Sequence, residues 1–268
     1  MVTFGDEPRR LIPPRPGPTA FPQPPGSLAR RYPAAAALPQ SKVDGGLYVM
    51  DTGLGLAFGS IAGGMTLLHQ HYGEQLVYVE DVHIEWTTHK TRPIAPLGDG
   101  HTAADKAEYD HRVRLQAAAA AVRTQVETLF GPPVVLAADA LPHVDGLIDE
   151  LCALPPAKTR ARGDRGECAS IHHAMSRRYG EGFHLNPANS VLSADPQFPV
   201  TILCANDDRA RKLSHNKGVA VRNMHTVLRE MVHAGAMTAE DAWGHYQMME
   251  TVTQLATLQR PRGADDFR

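Results

Sequence analysis

Leu47-Tyr48-Val49-Met50-Asp51 and Leu76-Val77-Tyr78-Val79-Glu80-Asp81 are two short apolar runs that each end in acid, separated by a helix-like stretch through Ile61, Met65, Leu67 and Leu68 that closes near Gly73. An uninterrupted apolar run bounded by polar residues reads as a strand buried on both faces. Strand, helix and strand at this spacing predict a parallel α/β sheet.

The alternation continues outward. Residues 102–130 form the clearest helix, with Thr102 as N-cap, the run Ala117 to Ala121 inside and Gly131-Pro132-Pro133 as the stop. A strand over Val134 to Ala137 and a helix over Val144 to Leu154 come next, then a helix from Gly166 to about Tyr179 and a loop rich in Asn, Pro and Ser at 184–199. The strand Val200 to Cys204 runs into Asn206-Asp207-Asp208. A helix from Arg209 to about Ser214, a strand at Val219-Ala220-Val221 and helices around 224–234 and 239–257, the last capped by Thr238, complete the pattern.

The 268 residues are 43% apolar and 21% charged, with a net charge of −2. That balance excludes nucleic-acid binding by bulk positive charge, though not by a local basic patch. No apolar run reaches the about 18 residues of a membrane helix. The N-terminus lacks the apolar core of a secretory signal, and Cys152, Cys168 and Cys204 offer neither a disulfide framework nor a CxxC zinc site. A cytoplasmic protein is expected. Residues 1–42 read as a disordered Pro-rich tail, since ten of the 21 prolines lie within the first 40 residues. Residues 258–268 read as a flexible C-terminal tail.

Acids gather at the ends of the predicted elements. Asp51 follows the first strand, Glu85 lies just beyond the second, Asp207 and Asp208 follow the strand at 200–204, and Glu167 opens the helix that Gly166 begins. In open parallel sheets ligands bind outside the carboxyl ends of the strands. Converging carboxylates repel unless a cation lies between them, and an all-oxygen donor set suits Mg²⁺ or Mn²⁺. Hydrolysis of a phosphodiester is the natural chemistry of such a centre. Singly, each acid has another reading as a helix cap, a dipole partner or a solvated residue.

LYVMDTGLG at 47–55, VEDVHIEW at 79–86, GECASI at 166–171 and ILCANDDRARKL at 202–213 resemble the four acidic signatures of PIN-domain nucleases. GVAVRNMHTVLREMVHAGAMTAEDA at 218–242 is similar to the strand, helix and Gly-containing turn that close the domain in the bacterial PIN-like subgroup with GE and DDRAR motifs. The resemblance covers residues 45–257, apart from an insertion at about 87–165 with an extra long helix. It implies a three-layer α/β/α sandwich around a parallel sheet and Mg²⁺- or Mn²⁺-dependent cleavage of RNA to 3′-hydroxyl and 5′-phosphate ends. It assigns Asp51, Glu85, Glu167 and Asp207 as the catalytic tetrad and metal ligands, with Asp208 as a further ligand and Thr52 as a hydroxyl near the metal. Glu80 and Asp81 compete with Glu85 for the second role. Many relatives are toxins of toxin–antitoxin pairs, so by analogy an antitoxin-like partner and a homodimer are expected.

Lys158, Arg160, Arg162 and Arg165 are candidates for contacts to the RNA backbone, with Arg209 as a secondary one. Two other readings stay open. In the first, the chain is a catalytically silent PIN-like module that binds RNA or protein. In the second, Gly53-Leu54-Gly55 with Gly59 imitates a dinucleotide fingerprint, with Glu80 or Asp81 as ribose acceptor, although GxGxxxG departs from GxGxxG. The fourteen histidines lack metal-binding spacing and read as solvated or core-satisfied.

Overall fold

The computed structural model describes residues 32–161, 164–185, 192 and 200–268. Four strands, β1 (Leu47–Met50), β2 (Leu76–Tyr78), β3 (Thr201–Cys204) and β4 (Ala220–Arg222), form an all-parallel sheet in the order β2-β1-β3-β4. Val49 lies beside Val77 on one flank and Leu203 on the other. Because β1 and β3 are central and covered on both faces, Tyr48, Val49, Met50, Ile202, Leu203 and Cys204 are all fully buried. That double burial is why their sequences are apolar without alternation.

Nine helices lie among the described residues: α1 (Thr52–Gly59), α2 (Gly64–Tyr72), α3 (Glu80–Ile84), α4 (Ala103–Phe130), α5 (Leu141–Ala153), α6 (Asp164–Tyr179), α7 (Asp208–Asn216), α8 (Met224–His233) and α9 (Ala239–Glu250). On one side of the sheet α6 rests on β1 and β3, flanked by α3, α5 and α7. The other layer joins α1 to α2, α4 and α9, and α9 to α8. The result is a three-layer α/β/α sandwich. No helix among the described residues is long and apolar enough to cross a membrane.

Several expectations need correction. The stretch between β1 and β2 is two helices, broken at residues 60–63. The expected strand at 134–137 is a single bridge, Val134 to Val79, on the outer edge of β2. The insertion is part of the core: α4 packs on α1 and α2, burying Ala118, Ala119, Val122 and Val126. Thr102 caps α4 as expected, in a reciprocal box with Asp105.

Of the expected tail, residues 1–31 lie outside the described residues, as does most of the expected loop at 184–199. Residues 32–42, which composition assigns to the tail, are docked: Arg178 Nη2 donates to the Ala34 carbonyl at 3.3 Å, Arg222 Nη2 donates to that of Pro39, and Lys42 Nζ reaches the His71 carbonyl at 2.8 Å. At the other end a short turn over Ala264–Phe267 inserts Phe267, fully buried, between α8 and α9.

Candidate active site

The strand order sets the location. From β1 the chain crosses to β2 on one side, while β3 lies on the other, so a topological switch point falls between β1 and β3. Asp51 and Asp207 stand at the carboxyl ends of these two strands. Each caps the next helix. Asp51 Oδ1 accepts from Leu54 N at 2.7 Å, and Asp207 Oδ1 accepts from Arg209 N at 2.8 Å and Ala210 N at 2.9 Å. Asn206 joins the two ends, with Nδ2 donating to the Gly53 carbonyl at 3.3 Å and Oδ1 accepting from Met224 N at 2.9 Å.

Glu167 enters from the first turn of α6, and its Oε2 is buried without a hydrogen-bond partner among the described residues. Burial, then the charges of Asp207 and Asp51, hold its carboxyl well above the usual range. Asp51 is 2% exposed, and its pKa is pushed up to about 8, first by burial and then by the charges of Asp207 and Glu85, against the pull of the Leu54 and Asn206 backbone amides. The charge of Asp207 thus acts on both Asp51 and Glu167 at the switch point, and Lys158 is the cation that opposes it at Glu167.

Glu85 is held differently. It begins a turn over Glu85–His89 that winds wider than an α-helix, a distortion common at functional sites. Thr52 Oγ1 donates to its Oε2 at 2.6 Å, and Gly166 N donates to Oε1 at 3.2 Å. A Cβ at position 166 would stand 2.5 Å from Glu85 Oε1, so a larger residue there would push this carboxylate off the residue 166 amide. Burial raises Glu85 to a pKa of about 7 despite these bonds. Both of its oxygens are bonded, whereas Glu167 Oε2 has no partner among the described residues.

The remaining candidates separate from the centre. Thr52 gives its hydroxyl proton to Glu85 and keeps its oxygen lone pairs open. Asp208 points to Lys212 at 2.7 Å, which with Arg211 and Gln259 lowers its pKa. Asp81 pairs with Arg165 at 2.7 Å, and Glu80 lies exposed at the start of α3. Arg160 pairs with Asp149 at 2.5 Å. Arg162 lies outside the described residues. Arg209 is drawn under the end of α5, where its guanidinium donates to the carbonyls of Leu151, Cys152, Leu154 and Pro156. Lys158 alone of the basic candidates stays with the acids: it bonds Asp164 at 2.5 Å, and although burial opposes its charge, Asp164, Glu167 and Asp207 raise its pKa.

Neither of the other sequence signals forms a competing centre. Gly53, Gly55 and Gly59 lie within α1, and a Cβ would stand 2.3 Å from the Trp86 ring on Gly55 and 2.6 Å from the Ala118 carbonyl on Gly59, so these two serve packing. His172 is 3% exposed, with Nδ1 2.9 Å from His143 Nδ1 and the His184 ring 5.2 Å away, beside a cavity of about 500 Å³ along α6 away from Glu167. As the side chains stand, no group of three or more His, Cys, Asp or Glu among the described residues is spaced to hold a metal ion.

Sequence reasoning misses Glu230. It is fully buried on α8, paired to Arg222 at 3.0 Å and hydrogen-bonded by the Tyr72 and Tyr48 hydroxyls. Its signal in the sequence is an acid within the apolar stripe of Val227, Leu228 and Met231. With its partners in place it is a closed core network.

The chain matches no known protein-family model, and comparison with curated proteins and with solved structures also finds no match.

Proposed function

We propose that this protein is a metal-dependent endoribonuclease whose centre is Asp51, Glu167 and Asp207, with Glu85 as the positioning acid. The observation that carries the reading is the bare, buried Glu167 Oε2 facing the charges of Asp51 and Asp207 at the β1/β3 switch point. An orphaned buried carboxylate oxygen calls for a cation or a proton, and the donors are all oxygens, as Mg²⁺ or Mn²⁺ requires. The fit is chemical rather than geometric, because the acids must close in to share an ion.

A divalent ion there supplies a Lewis acid and lowers the pKa of water. The protein's own part is to hold the acids. Helix capping fixes Asp51 and Asp207, Asn206 ties their strand ends together, and Thr52 and the Gly166 amide orient Glu85. The resemblance to PIN-like nucleases supplies RNA as the polymer and 3′-hydroxyl and 5′-phosphate products. The toxin role, an antitoxin-like partner, a homodimer and a cytoplasmic location rest on that analogy alone.

One observation favours the silent binding module instead. The Lys158 ammonium already lies among Asp164, Glu167 and Asp207, as the counter-ion of a structural acidic cluster would. End-labelled single-stranded RNA incubated with Mn²⁺, Mg²⁺ or EDTA, beside an Asp51→Asn protein purified identically, separates the two. Metal-dependent cleavage that disappears in the variant supports the nuclease. Intact RNA throughout, with binding that survives EDTA, supports the module. Equal cleavage by the variant means a contaminating nuclease and removes the assignment.

A further inference from the structure

A pocket of about 580 Å³ lies beside β4, between α7, the start of α8 and the segment 257–266. Four arginines line it: Arg211, Arg229, Arg260 and Arg262. The acid on the wall, Asp266, is engaged by the Arg262 backbone N–H at 2.6 Å. Set against Asp266 on the wall and Glu250 on Arg260, the four guanidiniums still leave this concavity net positive in a chain with a net charge of −2. Mutual repulsion makes such a cluster costly unless an anion completes it.

Arg211 is short of partners. Nε and Nη1 of Arg211 are buried with no hydrogen-bond partner among the described residues, and the nearest acid, Asp208, stands 4.0 Å from Nη1. Among the described residues neither the Arg229 nor the Arg262 guanidinium has an acid within ion-pair distance. Arg260 is the exception, paired to Glu250 at 3.3 Å. Planar guanidiniums with free donors match phosphate oxygens better than any other side chain.

The pocket adjoins the acidic centre. Arg211 N donates to the Asp207 carbonyl at 3.1 Å, one helical turn from the cap, and Gln259 on the pocket wall reaches Asp208 Oδ1 at 3.3 Å and Asn223 Nδ2 at 3.3 Å. A strand passing Asp51 and Asp207 can continue onto the arginines. We propose that this pocket is a phosphate subsite for the single-stranded RNA that the acidic centre cuts, with Arg211, Arg229 and Arg262 as its ligands. The inference rests on the nuclease reading for the identity of the polymer. It replaces the run at 158–165 as the main phosphate-binding surface.

The test is fluorescence anisotropy with a 3′-labelled 12-nucleotide single-stranded RNA carrying either a 5′-phosphate or a 5′-hydroxyl. The full chain bearing Asp51→Asn, in EDTA, is compared with the same protein bearing Arg229→Ala and Arg262→Ala. Neither arginine supports the fold through an ion pair, and thermal melting checks that the variant remains folded. Each lost charge-assisted contact weakens binding by about tenfold or more, and the double variant lowers the slope of log affinity against log salt by about 1.4. Equal weakening for both RNAs assigns the pocket to internal phosphates, while weakening confined to the 5′-phosphorylated RNA assigns it to a terminal one. Unchanged affinity and slope, or no RNA binding by either protein, overturn the proposal. The two readings fail separately: the cleavage assay decides the acids, and the arginine pair decides the pocket.

Discussion

The hydroxyl of Thr52 donates to Glu85 Oε2 across 2.6 Å, joining the first residue of α1 to the turn beyond α3. The bond fixes the Glu85 carboxylate against the residue that follows Asp51, and it commits the hydroxyl proton while leaving the oxygen lone pairs open.

Thr52→Val keeps the shape and removes the donor, leaving a buried carboxylate oxygen unpaired. The expected cost is about 1–3 kcal/mol of folding stability, read by urea denaturation at pH 8. Thr52→Ser restores the bond and is expected to recover most of the loss. If the valine and serine variants unfold alike, the bond does not position Glu85.

Arg209 reads in the sequence as a candidate for RNA contact, but its guanidinium ties down four carbonyls at the end of α5. Arg209→Ala should therefore lower stability by about 2–3 kcal/mol, because carbonyls lose charge-assisted donors. At a temperature where the variant is folded, the salt slope of RNA binding should match that of the parent. A slope reduced by a full phosphate contact would return Arg209 to the RNA surface.

The difference between Arg209 and Asp51 shows what the sequence made legible. Asp51 and Asp207 could be read because each follows a buried strand and caps a helix, and both roles are local. The partners of the basic run could not. Arg160 finds Asp149 and Arg165 finds Asp81 only after α5 and α3 pack around α6. Residues 32–42 read as tail because proline-rich composition carries no trace of the arginines that hold its carbonyls. Likewise the pocket arginines at 211, 229, 260 and 262 are too scattered to register as a patch until β4 and the C-terminal segment bring them together.

Stability should depend on pH in two limbs. Asp51 and Glu85 have folded-state pKa values of about 8 and 7, above their ordinary 3.8 and 4.5. The folded protein therefore holds protons that the unfolded chain lacks, and stability falls as pH rises through this range. His172 and His173 are buried and neutral, with pKa values lowered to about 3 and 4 from 6.5. Below about 6.5 the unfolded chain takes up protons the folded one refuses, so the histidines favour unfolding as pH falls. Without metal, Asp51, Glu85 and Glu167 should together make stability rise as pH falls from about 8.5 to 6.5, and the neutral histidines, with His71 among them, should oppose further gain below. Saturating Mn²⁺, by holding the acids ionised, should remove the upper limb and leave a decline below about pH 6.5. Urea titrations in EDTA and in Mn²⁺ check this, and identical profiles would argue against metal at the acids.

Lys158 supplies the sharpest test of what the acidic centre wants. Its ammonium bonds Asp164 at 2.5 Å, and Glu167 and Asp207 help raise its pKa, so it partly neutralises the acids proposed to hold a divalent ion. Lys158→Met keeps much of the side-chain volume and deletes the charge. If the acids form a metal site, the variant has more uncompensated negative charge. Mn²⁺ should then bind about three- to tenfold more tightly, a modest gain because the lysine is a third exposed and its interactions are screened. The gain would appear as a larger Mn²⁺-induced rise in Tm at fixed metal concentration. If the cluster is structural and Lys158 is its counter-ion, the variant loses stability in EDTA and Mn²⁺ restores none of it. The two outcomes move the metal-dependent part of the Tm in different ways, so one pair of melting curves separates a metal site from a structural ion-pair cluster.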